Sequence, residues 1–212
     1  GGGMEKGFRK AAVAAGGLFA SALAVYGLGH RTLCPGFLPA NDMRIPVGDA
    51  AIASVERERY DAVLDRVQEV YGPLIAAKGG RLTINRLWED ETVNASADQN
   101  GSEWEINMYG GLARHPSVTY EGFALVACHE IGHHMGGFPK WDGWATNEGG
   151  SDYFATLKCL RRVLGTGAPS GAVDPAAARD CAWRFKDQES RNLCGSNALA
   201  GQSVAFLFQA LR

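Results

Sequence analysis

Little in this chain points to a nucleic acid, a repeat or a cysteine-bound metal. The formal charge is -2 over 212 residues with both signs interspersed. No basic face exists to follow a phosphate backbone, and nucleic acid is excluded as a partner. No C-x-x-C pair occurs. Cys34, Cys128, Cys159, Cys181 and Cys194 stand apart, which argues against a cysteine zinc site and allows disulfides in an oxidising compartment. No fixed period links the 28 glycines, which punctuate the chain in pairs such as Gly79-Gly80 and Gly110-Gly111, so a repeat architecture is ruled out. Histidine is scarce too, five in all, and none follows His134.

Long apolar runs are limited to one. Gly1 to Gly3 ahead of Met4 read as an upstream remnant. Lys6, Arg9 and Lys10 then lead into the uncharged stretch Ala11 to Gly29, with small residues at Ala22-Leu23-Ala24. A positive flank, a weakly apolar core and small residues at a cleavage point describe an export signal. The stretch is also just long enough to remain as a membrane anchor. Either outcome places the remaining chain outside the cytoplasm, periplasmic or extracellular. Residues 30–48 carry Pro35, Pro39 and Pro46, spaced to forbid regular structure, and read as a proline-rich arm. Residues 49–212 are long enough for a single domain with one core.

Within that domain the spacing predicts a helix capped by Ser54, with Val55, Val63, Leu64, Val67, Val70 and Tyr71 along one face and Gly72-Pro73 kinking or ending it. Three strands follow at 81–88, 92–97 and 103–109. Asn100-Gly101 turns the second into the third, and the short connections predict an antiparallel meander. Thr119 caps a helix from Tyr120 to about Met135, closed by Gly136-Gly137 and Pro139. Another helix is expected from near Asn147 to about Leu164, and two more at roughly 175–190, opened by Asp174-Pro175, and 197–211. Strands first and helices after make an α+β fold. One disulfide is expected among Cys159, Cys181 and Cys194, while Cys128 reads as a small buried helix residue.

The chemistry concentrates at His129-Glu130-Ile131-Gly132-His133. Residues four apart share a helix face, so both imidazoles can close on one metal ion with Glu130 beside them as a general base. Hydrolysis at zinc needs a third protein ligand and an open position. Pro139 stands where the metzincin pattern requires histidine, and no histidine follows His134. The third ligand must therefore be a carboxylate. Glu148, with Asp152 four residues on as the hydrogen-bond partner of a ligand imidazole, suits both roles from one helix face; Asp152 as the ligand is the alternative. His134 lies off the ligand face, in a supporting position or in solvent. His115, Tyr109, Tyr120 and Tyr153 are candidates to steady a developing oxyanion.

H-E-x-x-H followed by E-x-x-x-D on the next helix resembles the gluzincin metallopeptidases. Asn94-Ala95-Ser96-Ala97, the turn at Gly101, the next strand and Gly111-Leu112 are similar to the elements preceding the active helix in the HtpX and CaaX prenyl-protease group. The likeness covers roughly residues 54–164. It implies a zincin-like fold with a helical C-terminal bundle, one Zn2+ held by His129, His133 and Glu148, and hydrolysis of a peptide or protein substrate. It also implies that the substrate strand pairs with a sheet edge at Asn94 and Ala95. Members of that group embedded in membranes carry several spans whereas this chain has at most one, so a prenylated or intramembrane substrate does not carry over. The competing expectation is a catalytically silent, zinc-stabilised binding or scaffold protein of the cell envelope. Glu130 weighs against it, because a purely structural site has no use for a non-ligating carboxylate.

Overall fold

The computed structural model describes residues 32–33, 36–48 and 55–211. The export segment 1–29, Cys34 and the Ser54 cap lie outside them. The chain runs through β1 (Thr32–Leu33), α1 (Arg57–Ala76), β2 (Arg81–Leu87), β3 (Ala95–Asn100), β4 (Glu103–Tyr109), α2 (Gly110–Arg114) and α3 (Tyr120–Met135). It continues through β5 (Lys140–Asp142), β6 (Ala145–Thr146), α4 (Glu148–Phe154), a π-helical turn (Ala155–Cys159), α5 (Leu160–Val163), α6 (Pro175–Arg184) and α7 (Gln188–Gln209). The fold is α+β. No helix among the described residues is long and apolar enough to cross a membrane.

The sheet is mixed, which corrects the antiparallel meander. β3 and β4 pair antiparallel, with Ala95 opposite Met108 and Ala97 opposite Ile106; Asn100 ends β3 opposite Glu103, so the turn is Gly101-Ser102, one residue later than expected, and β3 lies at 95–100 instead of 92–97. β2 pairs parallel with β4, Arg81 beside Glu103 through Leu87 beside Tyr109. The strand order is β1-β3-β4-β2. β4 has inserted between its two predecessors, and the 88–94 connection spans two strand spacings, about 10 Å, instead of one. A short connection sets how far apart two strands can lie; it does not make them neighbours.

One sheet face carries Val93, Ala95, Ala97, Ile106 and Met108, all inaccessible to solvent. α3 packs on it, and α1, α4 and α7 surround α3. Every residue of α3 from Glu121 to His134 is buried, the condition of a helix at the centre of a core. Thr119 accepts a hydrogen bond from Gly122 N at 3.0 Å and caps it as the sequence predicts. Close approach to its neighbours depends on two glycines. A Cβ on Gly122 would stand 2.1 Å from Ser203 Oγ of α7, and one on Gly132 would stand 2.8 Å from Ser151 Cα of α4.

Other boundaries move for identifiable reasons. α1 starts after Glu56 and passes through Pro73 to Ala76. Pro73 in the last turn removes one intrahelical hydrogen bond, and the buried Tyr71 and Ile75 on either side hold the helix against the core through it. α7 begins at Gln188 instead of 197, because the Asp187 carboxylate accepts from Ser190 N at 2.7 Å and starts a helix there. A short antiparallel hairpin, β5–β6, falls after the central helix; strands of three and two residues are too short to show alternation. Two disulfides form among the described residues, Cys128–Cys159 and Cys181–Cys194. The second answers the expected bridge. The first corrects the reading of Cys128, which is buried but also bonded.

The proline-rich arm is built into the domain. Both backbone groups of Leu38 bond to the Asn94 side chain, at 2.8 and 3.1 Å, and the Leu38 side chain is fully buried. Further along, Val93 N donates to Met43 O, and Ile45 N donates to Glu91 O. The Arg114 guanidinium, itself buried, donates to the carbonyls of Ile45, Trp88 and Asp90.

Candidate metal centre

α3 and α4 meet where Gly132 lets the Ser151 backbone approach, and this contact brings His129, His133 and Glu148 together. One ligand atom from each lies within 4.8 Å of the others. Glu148 Oε2 is 3.0 Å from His129 Nε2 and 3.8 Å from His133 Nε2. Atoms bound tetrahedrally at about 2.0–2.1 Å stand about 3.3 Å apart, and these two separations bracket that spacing.

The far side of each imidazole is tied down. His129 Nδ1 lies 2.8 Å from Asp152 Oδ1, and His133 Nδ1 lies 2.8 Å from Thr146 O and 3.1 Å from Ser151 Oγ. A carboxylate and a carbonyl only accept, so each Nδ1 carries the proton and donates. Each Nε2 is thereby the atom that faces Glu148 and would give its lone pair to an ion. Thr146 is fixed in turn by its hydroxyl donating to Gly137 O at 2.8 Å. Asn147 caps α4 through Gly150 N at 2.9 Å.

Glu130 is wholly buried, and neither of its carboxylate oxygens makes a hydrogen bond among the described residues, while His129 Nε2 has only the Glu148 carboxylate before it. Such groups are costly to bury unsatisfied, and a cation beside them would meet both needs. The residues present therefore fit a metal ion, and the His-His-Glu group can hold one. Burial raises the Glu130 carboxyl to about 7, aided by the Glu148 charge and opposed by His129. Burial works against a charged His129 ring, but the contacts with Asp152 and Glu148 outweigh it and raise that ring to about 10. His133 is lowered by burial and by its charged neighbour His129. Glu148 is held below the usual carboxylate range, chiefly by its contact with His129.

A cleft of about 490 Å3 opens over the group, lined by His129, Glu148 and Asp152, by the arm from Gly36 to Ala40, and by Trp141, Val204 and Phe208. The Phe37 ring stands edge-on to His129, centroids 5.0 Å apart. A second cleft of the same volume, between the π turn and α7, offers Arg161 as its one charged side chain and no counterpart of this cluster.

None of the four oxyanion candidates lines the cleft over the group. Tyr109 ends β4, and His115 accepts from Ser117 N through Nδ1 in the turn after α2. Tyr120 lies under the Arg59 guanidinium, and Tyr153 is exposed on α4. His134 is buried, not exposed. It lies between the rings of Trp104 and Trp144, nearly parallel to both, and donates from Nε2 to Glu105 O at 3.0 Å; burial depresses its pKa to about 4. The expectation that Asn94 and Ala95 pair with a peptide meets an edge already in use. Ala95 O accepts from Phe37 N at 2.9 Å, Asn94 holds Leu38, and β1 pairs with Asp98 and Gln99.

Sequence reasoning missed Thr146, Ser151 and Phe37. Ser151 lies inside the E-x-x-x-D stretch and could have been suspected from it. Thr146 acts through its carbonyl and Phe37 through a distant turn of chain, and neither leaves a local signal. Compared with protein-family models, with curated proteins and with solved structures, the chain finds no match.

Proposed function

We propose that the protein is an exported zinc-dependent metallopeptidase of the gluzincin type with a zincin-like core. The observation that carries the reading is the buried Glu130 carboxylate, without a hydrogen bond among the described residues, beside two imidazoles whose Nε2 atoms converge with Glu148. His129, His133 and Glu148 would hold the ion. Zinc so held would polarise a carbonyl and make its bound water acidic enough to ionise near pH about 7.

The chain's own residues supply the rest. Asp152 and Thr146 O keep the imidazoles turned toward the ion. Glu130 accepts the proton that the attacking water loses at one carboxylate oxygen and returns it to the departing amine nitrogen, so that water adds across the peptide bond with no net proton change. Export accords with two disulfides, which persist in oxidising compartments.

The absence of the oxyanion candidates from the cleft lining favours a second reading, a metal-stabilised envelope protein without turnover. Glu130→Gln separates the two. Metal analysis should find one zinc per chain in wild type and in Glu130→Gln, while cleavage of a peptide library should occur in wild type only. His133→Ala should lose the zinc. Wild type that binds zinc and cleaves nothing supports the silent site, and full activity in Glu130→Gln removes the general base.

A further inference from the structure

The β3 edge on which a peptide strand could be laid is occupied by the chain itself. Phe37 N bonds to Ala95 O, Asn94 holds both backbone groups of Leu38, and Leu38 is buried in the core. A segment anchored by a core side chain is a fixed wall, not a displaceable strand. What remains open to a substrate is the cleft between that wall, the β5–β6 hairpin and α7.

Apart from His129, Glu148 and Asp152, which belong to the metal group, none of the described side chains lining this cleft is charged or hydrogen-bonding except the indole of Trp141. Phe37 and Phe208 meet edge to face with centroids 5.6 Å apart. Trp141 and Phe208 remain 55% and 39% exposed, so apolar surface at the mouth is left uncovered within reach of the ligands. The volume, about 490 Å3, lies in the range of small-molecule and side-chain pockets.

We propose that this cleft chooses its peptide by side chain and not by strand pairing, seating a large apolar or aromatic residue next to the bond that is cut, against Phe37, Trp141 and Phe208. The proposal rests on the metallopeptidase reading. An aspartate side chain seated there would exchange water for aromatic walls, and the carboxylates lining the cleft, Glu148 and Asp152, are of its own sign. A benzyl or isobutyl group would gain the burial that the exposed rings offer. Phe37 is held on both sides by backbone bonds, so its wall is in place before anything binds, and little ordering opposes the gain.

Binding of zinc-chelating hydroxamates to the zinc-loaded protein, measured by calorimetry, tests this without requiring turnover. The probes are acetohydroxamate and the hydroxamates of acetylated phenylalanine and aspartate. The phenylalanine compound should bind at least about tenfold tighter than acetohydroxamate, and the aspartate compound no tighter. Phe208→Ala and Trp141→Ala, both at exposed positions, should erase most of that advantage and leave zinc uptake and acetohydroxamate binding unchanged. Equal binding of the phenylalanine and aspartate compounds, or an advantage that survives both substitutions, overturns the proposal alone. Failure to take up zinc, or to bind acetohydroxamate, overturns the metallopeptidase reading and this one with it.

Discussion

The Cys128–Cys159 bridge joins the residue preceding His129 to the π turn that follows directly on α4, the helix carrying Glu148 and Asp152. Removing it as Cys128→Ala/Cys159→Ala frees a loop with a sequence separation of 31. Loop entropy alone then puts the loss of stability at about 3.7 kcal/mol. The Cys181–Cys194 bridge closes a separation of 13, which gives about 2.9 kcal/mol. For a domain of this size the longer loop corresponds to a fall in Tm of roughly 7–15 °C. The two losses are close, so stability alone does not reveal what the first bridge does. Metal affinity does. Competition against a chromophoric chelator, at a temperature where both variants are folded, should show zinc affinity reduced about tenfold in Cys128→Ala/Cys159→Ala, the size of effect seen when the outer support of a metal ligand is removed. Cys181→Ala/Cys194→Ala should match wild type, since that bridge joins α6 to α7. Unchanged affinity in the first variant, or equal losses in both, would refute the argument that this bridge sets the distance between the two ligand helices.

Two further outcomes follow from single contacts. Asp152→Asn removes the charge 2.8 Å from His129 Nδ1; zinc affinity should fall about tenfold, the low end for such a partner because the Asp152 side chain is largely exposed, with the circular dichroism spectrum unchanged, and an unaltered affinity would show that the contact orients nothing. Tyr60, buried and donating to Met108 O at 2.7 Å, has its pKa raised well above the ordinary 10.0, by burial first and by Asp61 second. Its contribution to stability is therefore whole below pH 10.0 and is lost as pH rises beyond it. Urea unfolding of Tyr60→Phe should show about 1 kcal/mol less stability at neutral pH and a shallower decline in alkali than wild type.

Local spacing carried most of the metal group. His129 and His133 four apart, the Thr119 cap, the closing glycines, and Glu148 with Asp152 one turn on all rest on the 3.6-residue period and on capping, which act within a few residues. Those contacts are complete within one or two turns of helix and are legible without knowing what packs outside. The Asp174-Pro175 start was legible for the same reason, and so was a turn at Gly101, although it falls at Gly101-Ser102 and not at Asn100-Gly101.

The remainder depended on what packs against what. The insertion of β4 between β2 and β3 was decided by which edge gained the better pairing, not by the length of the connection. Cys159 joined Cys128 because α4 and α3 close on each other at Gly132, a distance that no residue count contains. The occupied β3 edge and the aromatic mouth formed by Phe37, Trp141 and Phe208 bring together parts of the chain far apart in sequence. Sequence by itself therefore determined which side chains could hold a metal and on which helix faces they lie, because short-range hydrogen bonding and sterics set those faces. Tertiary structure alone decided how the two helices are held together, which edge is closed and what surface a substrate meets, because these follow from burying apolar surface between distant segments, and burial has no local signature.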